Sequence, residues 1–195
     1  MTVNGREILI VRHPQTVANV EGRLVGQSDS PITDLGRRQM TALARAVSAE
    51  DPQIVYASPL GRALTTAHFI TPDGTPLEIV EDLKEIDFGD AEGLTWDEMT
   101  ARGITLDYTG GPVAPGGEVG ALFDARVRAA AERAAGGPSP AVVITHGGVF
   151  RHLLGALLGM SVDEVWRMDI PNAAVATLRQ RDGAWLLESL ALPEA

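Results

Sequence analysis

Short runs of apolar residues alternate along this chain of 195 residues with longer stretches in which apolar and polar positions are mixed. Four of these runs have the length and the apolar content of buried β-strands. They are residues 8–11, 54–57, 77–80 and 142–145. Strands that are apolar on both faces are typical of a parallel sheet that helices cover on both sides.

The mixed stretches between these runs predict helices. Thr33 or Asp34 can cap the first helix, and Ser58-Pro59 has the residue types of an N-cap followed by a first helical position. The predicted helices cover about 34–48, 59–69 and 119–135, with a further helix after Gly148. The alternation of strands and helices predicts an α/β fold with a mostly parallel central sheet.

Local signals add smaller elements. Thr95-Trp96-Asp97-Glu98 and Ser161-Val162-Asp163-Glu164 have the pattern of a capping box, and each predicts a short helix. Residues 173–178 and 185–190 are predicted strands, joined by a hairpin around Asp182-Gly183.

Length and composition fit one globular domain. The chain is 45% hydrophobic and 22% charged, and without an internal repeat or a long linker we expect a single domain over 1–195. It contains no cysteine, which excludes disulfides and thiolate chemistry. Residues 1–7 lack the pattern of a signal peptide, and the apolar stretch 153–160 is too short to cross a bilayer. These features predict a cytoplasmic protein without a membrane partner.

The charge balance bears on the ligand. A formal net charge of −10 argues against binding to nucleic acids or anionic membranes, because both need a basic face. A field of this sign also slows the approach of anionic ligands. A phosphate site in this chain must therefore be built from local groups.

Two histidines follow predicted strands directly. His13 comes after residues 8–11 and Arg12, and His146 directly follows the run 142–145. Ligands of open α/β sheets bind outside the carboxyl ends of the strands, so the two imidazoles and Arg12 predict an anion site that contains a nucleophile. A metal site at the two histidines is the other chemical interpretation. Arg12 would repel a cation and the spacings of known metal motifs are absent, so we expect no metal and no other cofactor.

The basic residues fit a pocket for a phosphoryl group. Catalysis of phosphoryl transfer consists mainly of positioning and of stabilising the charge on three equatorial oxygens. Arg12 and Arg62 could each clamp two oxygens by charge-assisted hydrogen bonds. His146 precedes the Gly147-Gly148 turn, where the N-terminus of the next helix would offer free N–H groups.

Two further residues fit the chemical steps. A neutral His13 can attack phosphorus through one ring nitrogen, while the other nitrogen needs an acceptor such as a backbone carbonyl. Glu85 is the candidate acid for the leaving alkoxide and the candidate base for the incoming water.

Five groups of motifs surround these residues. They are Arg12-His13-Pro14-Gln15-Thr16 with Asn19, Gly26, Asp29, Pro31-Ile32-Thr33, Leu35-Gly36 and Gln39, then Ser58-Pro59-Leu60-Gly61-Arg62-Ala63, Glu85 with Phe88-Gly89 and Glu92-Gly93, Pro115-Gly116-Gly117-Glu118, and Thr145-His146-Gly147-Gly148. In order and over nearly the whole chain, these motifs resemble those of the histidine phosphatase superfamily (phosphoglycerate mutase-like). The resemblance implies a three-layer α/β/α sandwich, with His13 as nucleophile, Glu85 as proton donor and a phosphate pocket. The phosphate-binding residues expected from it are Arg12, Arg62, His146, Asn19 and Gly147.

Two positions depart from the family pattern. Pro14 stands where the family has glycine, and a proline can neither adopt positive φ nor donate an N–H to phosphate. This substitution leaves a catalytically weak, phosphate-binding regulatory module as a second class of function. Gln15 stands where the family has glutamate, which removes a charge but keeps an acceptor, and we expect little effect.

The family includes phosphoglycerate mutases, which hold a doubly anionic substrate with a lysine and paired arginines. Trp96 is near the position of that lysine, and Arg102 is the only basic residue in the 86–119 span. Residues 78–98 are strongly acidic and would repel a second anionic group if they faced the mouth of the site. A phosphatase is therefore the main prediction, with a phosphoglycerate mutase-type phosphotransferase as the alternative.

The substrate is expected to be a small phosphorylated metabolite with a neutral non-phosphate part, such as a nucleoside-like or sugar monophosphate. α-Ribazole 5′-phosphate, a substrate within the family, would fit but is not singled out. Trp96, Tyr108 and Phe123 are candidate contacts for this part, and core packing is the alternative for at least one of them. The sequence leaves open whether the protein forms a homodimer.

Overall fold

The central element of this computed structural model is a six-stranded sheet with the strand order β3-β2-β4-β1-β5-β6. The structure describes residues 5–108 and 111–194. The strands are β1 (Glu7–Arg12), β2 (Ile54–Ala57), β3 (Leu77–Ile79), β4 (Ala141–Thr145), β5 (Val175–Arg181) and β6 (Ala184–Ala191). The first four are parallel, while β5 and β6 add an antiparallel hairpin at one edge. The predicted, mostly parallel sheet is confirmed.

Helices cover both faces of this sheet. They are α1 (Val17–Val20), α2 (Asp34–Ala49), α3 (Gly61–Ile70), α4 (Trp96–Ala101), α5 (Gly120–Gly136), α6 (Gly147–Leu158) and α7 (Val162–Trp166). Two short 3-10 turns, Glu81–Leu83 and Gly89–Ala91, lie between β3 and α4. No helix in the described part of the chain combines the length and the apolar composition that crossing a membrane would need.

Alternate residues of β1 show how the layers form. Ile8 and Ile10 pack into a core with α5 and α6, whereas Leu9 and Val11 pack into a second core with α2 and α3. Successive side chains of a strand point to opposite faces, so an unbroken apolar run requires cover on both sides. The expected three-layer α/β/α sandwich is confirmed.

The local signals hold except at one helix start. Thr33 caps α2 through its hydroxyl, and the two capping boxes begin α4 and α7 as predicted. The hairpin turns at Asp182 and Gly183, both of which have positive φ, as a two-residue hairpin turn of type I′ requires.

The predicted N-cap at Ser58 is wrong, because α3 begins at Gly61 after Leu60. Ser58 instead extends the β-ladder, since its amide donates to the Ile144 carbonyl oxygen. Its hydroxyl is bonded to His146 rather than to the first turn of the helix. A contact distant in sequence therefore overrides the local capping preference.

Candidate active site

The two predicted histidines lie side by side at the carboxyl end of the sheet. β1 and β4 are parallel neighbours with Arg12 in register with Thr145, so His13 and His146 leave the two strands at the same place. Their ring centroids are 5.2 Å apart and the ring planes are inclined by 56°. Both side chains are buried. Main-chain topology thus brings together two imidazoles that are distant in sequence.

His13 is held in one tautomer by its neighbour. Its Nδ1 lies 2.8 Å from the carbonyl oxygen of Pro14. A carbonyl can only accept, so Nδ1 carries the proton and Nε2 keeps its lone pair. Burial, followed by the charges of Arg12 and Arg62, holds the pKa of His13 well below its usual value. The ring is therefore a neutral base next to two cations.

His146 contacts Ser58, which the sequence predicted as a helix cap and not as a residue of the site. Its Nε2 lies 2.7 Å from the hydroxyl of Ser58, which also accepts a 3.3 Å hydrogen bond from the Leu60 amide. The Nδ1 atom of His146 is buried without a hydrogen-bond partner among the described residues. Burial first, and then the charge of Arg62, holds the pKa of His146 well below its usual value.

The two predicted arginines approach the histidines from different elements. Arg12 ends β1 and donates from Nη1 to the Ile170 carbonyl oxygen, while its Nε is buried and unpaired within the described structure. Burial lowers the pKa of Arg12 to about 10, so it stays cationic at neutral pH. Arg62 lies in the first turn of α3 and donates to the carbonyl oxygens of Ser28 at 2.7 Å and Gly26 at 2.6 Å. These bonds fix both guanidinium groups before any anion arrives.

Asn19 is fixed by three donors. Its Oδ1 accepts hydrogen bonds from the amide of Thr16 at 3.0 Å, from the Thr16 hydroxyl at 2.8 Å and from Asn172 Nδ2 at 3.0 Å. An amide nitrogen in that position would face donors, so this network sets the orientation of the side chain. The two N–H groups of Asn19 are consequently left for a group on the other side.

Glu85 lies at the N-terminus of α6, the helix that follows His146. Its carboxylate is buried and accepts hydrogen bonds from the Gly148 amide at 2.9 Å and from the Ile86 amide at 3.1 Å. The Gly148 amide belongs to the first turn of α6, which starts immediately after its N-cap, His146. The free end of a helix therefore holds the carboxylate, as helix N-termini hold anions generally.

Three polar residues of the site were not predicted. Ser58 bonds His146, and Asn172 bonds Asn19 and the carbonyl oxygens of His13 and Pro14. Arg151 of α6 donates to the carbonyl oxygens at positions 147 and 168 and lies near the Arg12 guanidinium. Of the three, only Ser58 had a sequence signal: it follows a predicted strand, was predicted as a helix N-cap and lies in a segment that matches the family pattern.

The two departures from the family pattern have defined contacts. Pro14 acts through its carbonyl oxygen, which proline retains, as the acceptor for the His13 Nδ1 proton. Gln15 accepts a 2.8 Å hydrogen bond from the Thr33 hydroxyl through its side chain, and its amide donates to Gln39. Neither contact needs the glycine or the glutamate that the family pattern has.

The three aromatic residues considered for the substrate differ in position. Phe123 is fully buried in the core, Trp96 is 62% exposed, and Tyr108 is half-buried and stacks on Trp166 with ring centroids 4.1 Å apart. Burial, followed by the charge of Glu85, raises the pKa of Tyr108. Phe123 is therefore the candidate for which core packing is the correct interpretation.

Three carboxylates of the acidic run over residues 78–98 have local partners. Glu81 forms a 2.5 Å ion pair with the single lysine of the chain, and Glu98 forms a 2.9 Å ion pair with Arg23. Glu92 accepts backbone amides at positions 26 and 27. These three carboxylates therefore do not support the expectation that the acidic run repels a second anionic group on the substrate.

The donor set around the histidines carries positive charge from Arg12 and Arg62. Within residues 5–108 and 111–194 no group of three or more His, Asp or Glu side chains is arranged to hold a metal ion. What the site does offer is two fixed guanidinium groups, two neutral imidazoles and an oriented amide around one small space, which suits the oxygens of a phosphoryl group.

Comparisons with known proteins agree with this geometry. A sequence profile of the histidine phosphatase superfamily (branch 1) matches residues 8–193. A Yersinia enterocolitica protein named "probable phosphoglycerate mutase" is 31% identical over 97% of this chain and 92% of its own length. The glucosyl-3-phosphoglycerate phosphatase of Mycolicibacterium vanbaalenii is 32% identical over 81% of this chain and 76% of its own length.

A solved structure shares the whole architecture. The α-ribazole phosphatase of Shigella flexneri superposes with a TM-score of 0.84 at 25% identity, covering 94% of this chain and 95% of that protein. The match of the profile extends from Ile8 in β1 to Pro193 and includes every predicted site residue. The chain therefore belongs to branch 1 of the histidine phosphatase superfamily.

Proposed function

We propose that this protein is a metal-independent phosphomonoester hydrolase that acts through a phosphohistidine intermediate at His13. The observation that carries the proposal is the 2.8 Å contact between His13 Nδ1 and the Pro14 carbonyl oxygen. It leaves Nε2 as an unprotonated nucleophile, while Arg12 and Arg62 beside it supply positive charge for an incoming phosphate.

In the first step His13 Nε2 attacks phosphorus and the bond from phosphorus to the ester oxygen breaks. Arg12, Arg62 and the free N–H groups of Asn19 stabilise the three equatorial oxygens. The Ser58 hydroxyl can donate a hydrogen bond to Nε2 of His146. The ring proton is then on Nδ1, which donates a hydrogen bond to the same phosphoryl group. The protonated carboxyl of Glu85 gives its proton to the leaving alkoxide.

In the second step a water molecule attacks the phosphohistidine. The carboxylate of Glu85 takes a proton from this water while the oxygen of the water bonds to phosphorus, and the bond from phosphorus to His13 Nε2 breaks. Inorganic phosphate leaves, and His13 returns to the neutral form. The hydrogen bonds from Gly148 and Ile86 keep the Glu85 carboxylate in place for both proton transfers.

The proposed substrate is a small phosphorylated metabolite with a neutral non-phosphate part. The support for this class is that Arg102 is the only basic residue in the 86–119 span, so the lysine and arginine pair of the mutase type are missing there. Equal turnover of a carboxylate-bearing bisphosphate and a neutral-bodied monophosphate would contradict it.

A mutase is the second candidate, because a relative named for that activity matches over 97% of the chain. Its signature would be interconversion of phosphoglycerates that depends on a bisphosphate primer. Release of inorganic phosphate without such interconversion would support the hydrolase and contradict the mutase.

The test of the proposal is hydrolysis of p-nitrophenyl phosphate in the presence of EDTA, with wild type compared to His13→Ala. Turnover in the wild type that is lost in the variant supports the proposal. Undiminished turnover in His13→Ala, or turnover that EDTA abolishes, contradicts it. If neither protein turns over any member of a phosphomonoester panel yet phosphate binds, the regulatory module is the correct function, and Pro14→Gly shows whether the proline is the cause.

A further inference from the structure

Arg126 of α5 is bonded to the segment that carries Glu85, although it lies 41 residues further along the chain. We infer that Arg126 is a positioning residue for proton transfer: its guanidinium, fixed by Glu118, holds the main chain of residues 82–85 so that the Glu85 carboxylate points at the leaving oxygen. This inference rests on the proposed function, in which Glu85 is the proton donor.

The guanidinium of Arg126 uses all of its N–H groups. Nη1 donates to the carbonyl oxygens of Asp82 at 2.8 Å and Lys84 at 2.7 Å, and Nη2 donates to that of Glu85 at 3.2 Å. Nε and the second N–H of Nη2 donate to the two carboxylate oxygens of Glu118 at 2.7 and 2.9 Å. An arginine has five such donors, so none is left for a ligand.

Four consecutive carbonyl groups are thereby anchored. Arg126 bonds those of residues 82, 84 and 85, and the hydroxyl of Thr145 bonds that of Leu83 at 2.9 Å. Thr145 is the last residue of β4 and directly precedes His146. The segment that carries Glu85 is consequently tied both to α5 and to the strand that positions one of the two histidines.

Glu118 extends the clamp to the other side of Glu85. Its amide donates to the Asp87 carbonyl oxygen at 2.9 Å, and its Oε2 lies 3.4 Å from the Asp87 amide. The side chains of Arg126 and Glu118 are only 18% and 16% exposed, and the guanidinium lies 4.8 Å from the centre of the Phe123 ring. A largely buried, bidentate pair of this kind is rigid, and lysine cannot reproduce its planar geometry.

Arg126 touches the main chain of Glu85 and not its carboxylate, which separates its effect from that of a catalytic residue. Losing the clamp lets Glu85 move, and only steps that need its proton should suffer. Cleavage of an alkyl phosphate needs a proton on the alkoxide, whereas p-nitrophenolate leaves without one. The value of kcat/KM covers substrate binding and the phosphoryl transfer to His13, which is the first irreversible step, and it does not contain the later hydrolysis of the phosphohistidine.

The experiment compares kcat/KM for an alkyl phosphomonoester and for p-nitrophenyl phosphate in Arg126→Lys and Glu118→Gln. We expect a loss of about tenfold or more for the alkyl ester and a loss of less than about threefold for the aryl ester, because misplacing a catalytic group by about 1 Å costs on that scale. Arg128→Gln is the matched control. Arg128 lies on the same helix, is half exposed and pairs only with Asp124 among the described residues.

The result for Glu85→Gln separates the two hypotheses. If kcat/KM of this variant falls equally on both esters, the role of Glu85 as proton donor in the proposed function fails, whatever Arg126 does. If Glu85→Gln is selective for the alkyl ester but both clamp variants lose activity equally on the two esters, the inference about Arg126 is overturned. Should Arg126→Lys fail to fold, as its thermal unfolding would show, Glu118→Gln alone decides between these outcomes.

Discussion

Gly148 lies directly beneath the Glu85 carboxylate, and a single methyl group there should displace the proton donor. A Cβ atom at position 148 would lie 2.5 Å from Glu85 Oε1 and 3.3 Å from its Cδ. The position is helical, so alanine itself favours the local backbone by about 1 kcal/mol relative to glycine. Gly148→Ala is therefore a local perturbation of the carboxylate in a helix that alanine does not weaken.

The size of the effect follows from these distances. Relieving the contact to the 3.4 Å of ordinary van der Waals packing moves the oxygen by about 0.9 Å (3.4 minus 2.5). The 2.9 Å hydrogen bond from the Gly148 amide to Oε2 is then strained or lost. A hydrogen bond to a charged group contributes about 1.5–3 kcal/mol, which corresponds to about 10- to 100-fold in rate. We expect kcat/KM for an alkyl phosphomonoester to fall by that factor.

The assay measures kcat/KM on alkyl and aryl esters together with thermal unfolding. Gly136→Ala is the control, because a Cβ at that helical position meets nothing within 4 Å. At Gly147 the nearest atoms are 3.4 Å away, so its alanine variant should lose less activity than Gly148→Ala. A Gly148→Ala enzyme that cleaves alkyl esters as fast as the wild type would refute the assigned position of Glu85.

Three further results are expected. Because the pKa of His13 is lowered, its nucleophilic form persists below pH 6.5, and kcat/KM should fall only as the pH drops through that lowered pKa. A pH profile of kcat/KM that falls on the acid side with a midpoint above 6.5, after correction for substrate ionisation, would contradict the lowered pKa. Ser58→Ala leaves Nε2 of His146 buried without its partner and should lower the free energy of unfolding in urea by about 1–3 kcal/mol, whereas an unchanged midpoint would deny the bond its importance. Burial, followed by a hydrogen bond to Glu7, raises the pKa of Glu50. The folded state therefore binds this proton more tightly than the unfolded state does, and it loses stability as the pH rises above 4.5. Glu50→Gln should raise Tm at pH 7 and much less at pH 4, and an equal gain at the two pH values would contradict the raised pKa.

Residues next to the strand ends were the predictable part of the site. The apolar runs before His13 and His146 define strands without ambiguity, and two parallel strands bring their carboxyl ends together. Glu85 and Asn19 needed the family resemblance or chemical reasoning, because neither lies at the end of a strand. The structure places all four in one region.

The supporting residues could not be found in this way. Arg126 has the same local pattern as an arginine on a solvated helix face, and its five bonds are made to residues at least eight positions away. Asn172 bonds Asn19 across more than 150 residues. Ser58 illustrates the converse error, since its local capping signal loses to a bond with His146. Such contacts depend on tertiary packing, which periodicity does not report.

The most direct test of the central claim is detection of a phosphorylated intermediate. Wild type and Glu85→Gln are mixed with p-nitrophenyl phosphate and quenched in base, where phosphohistidine survives, and the modified residue is located by mass spectrometry. The account predicts phosphate on His13, at a higher level in Glu85→Gln because the base for the second step is missing. Phosphate on another residue, or hydrolysis in Glu85→Gln and wild type without any labelled histidine, would contradict it.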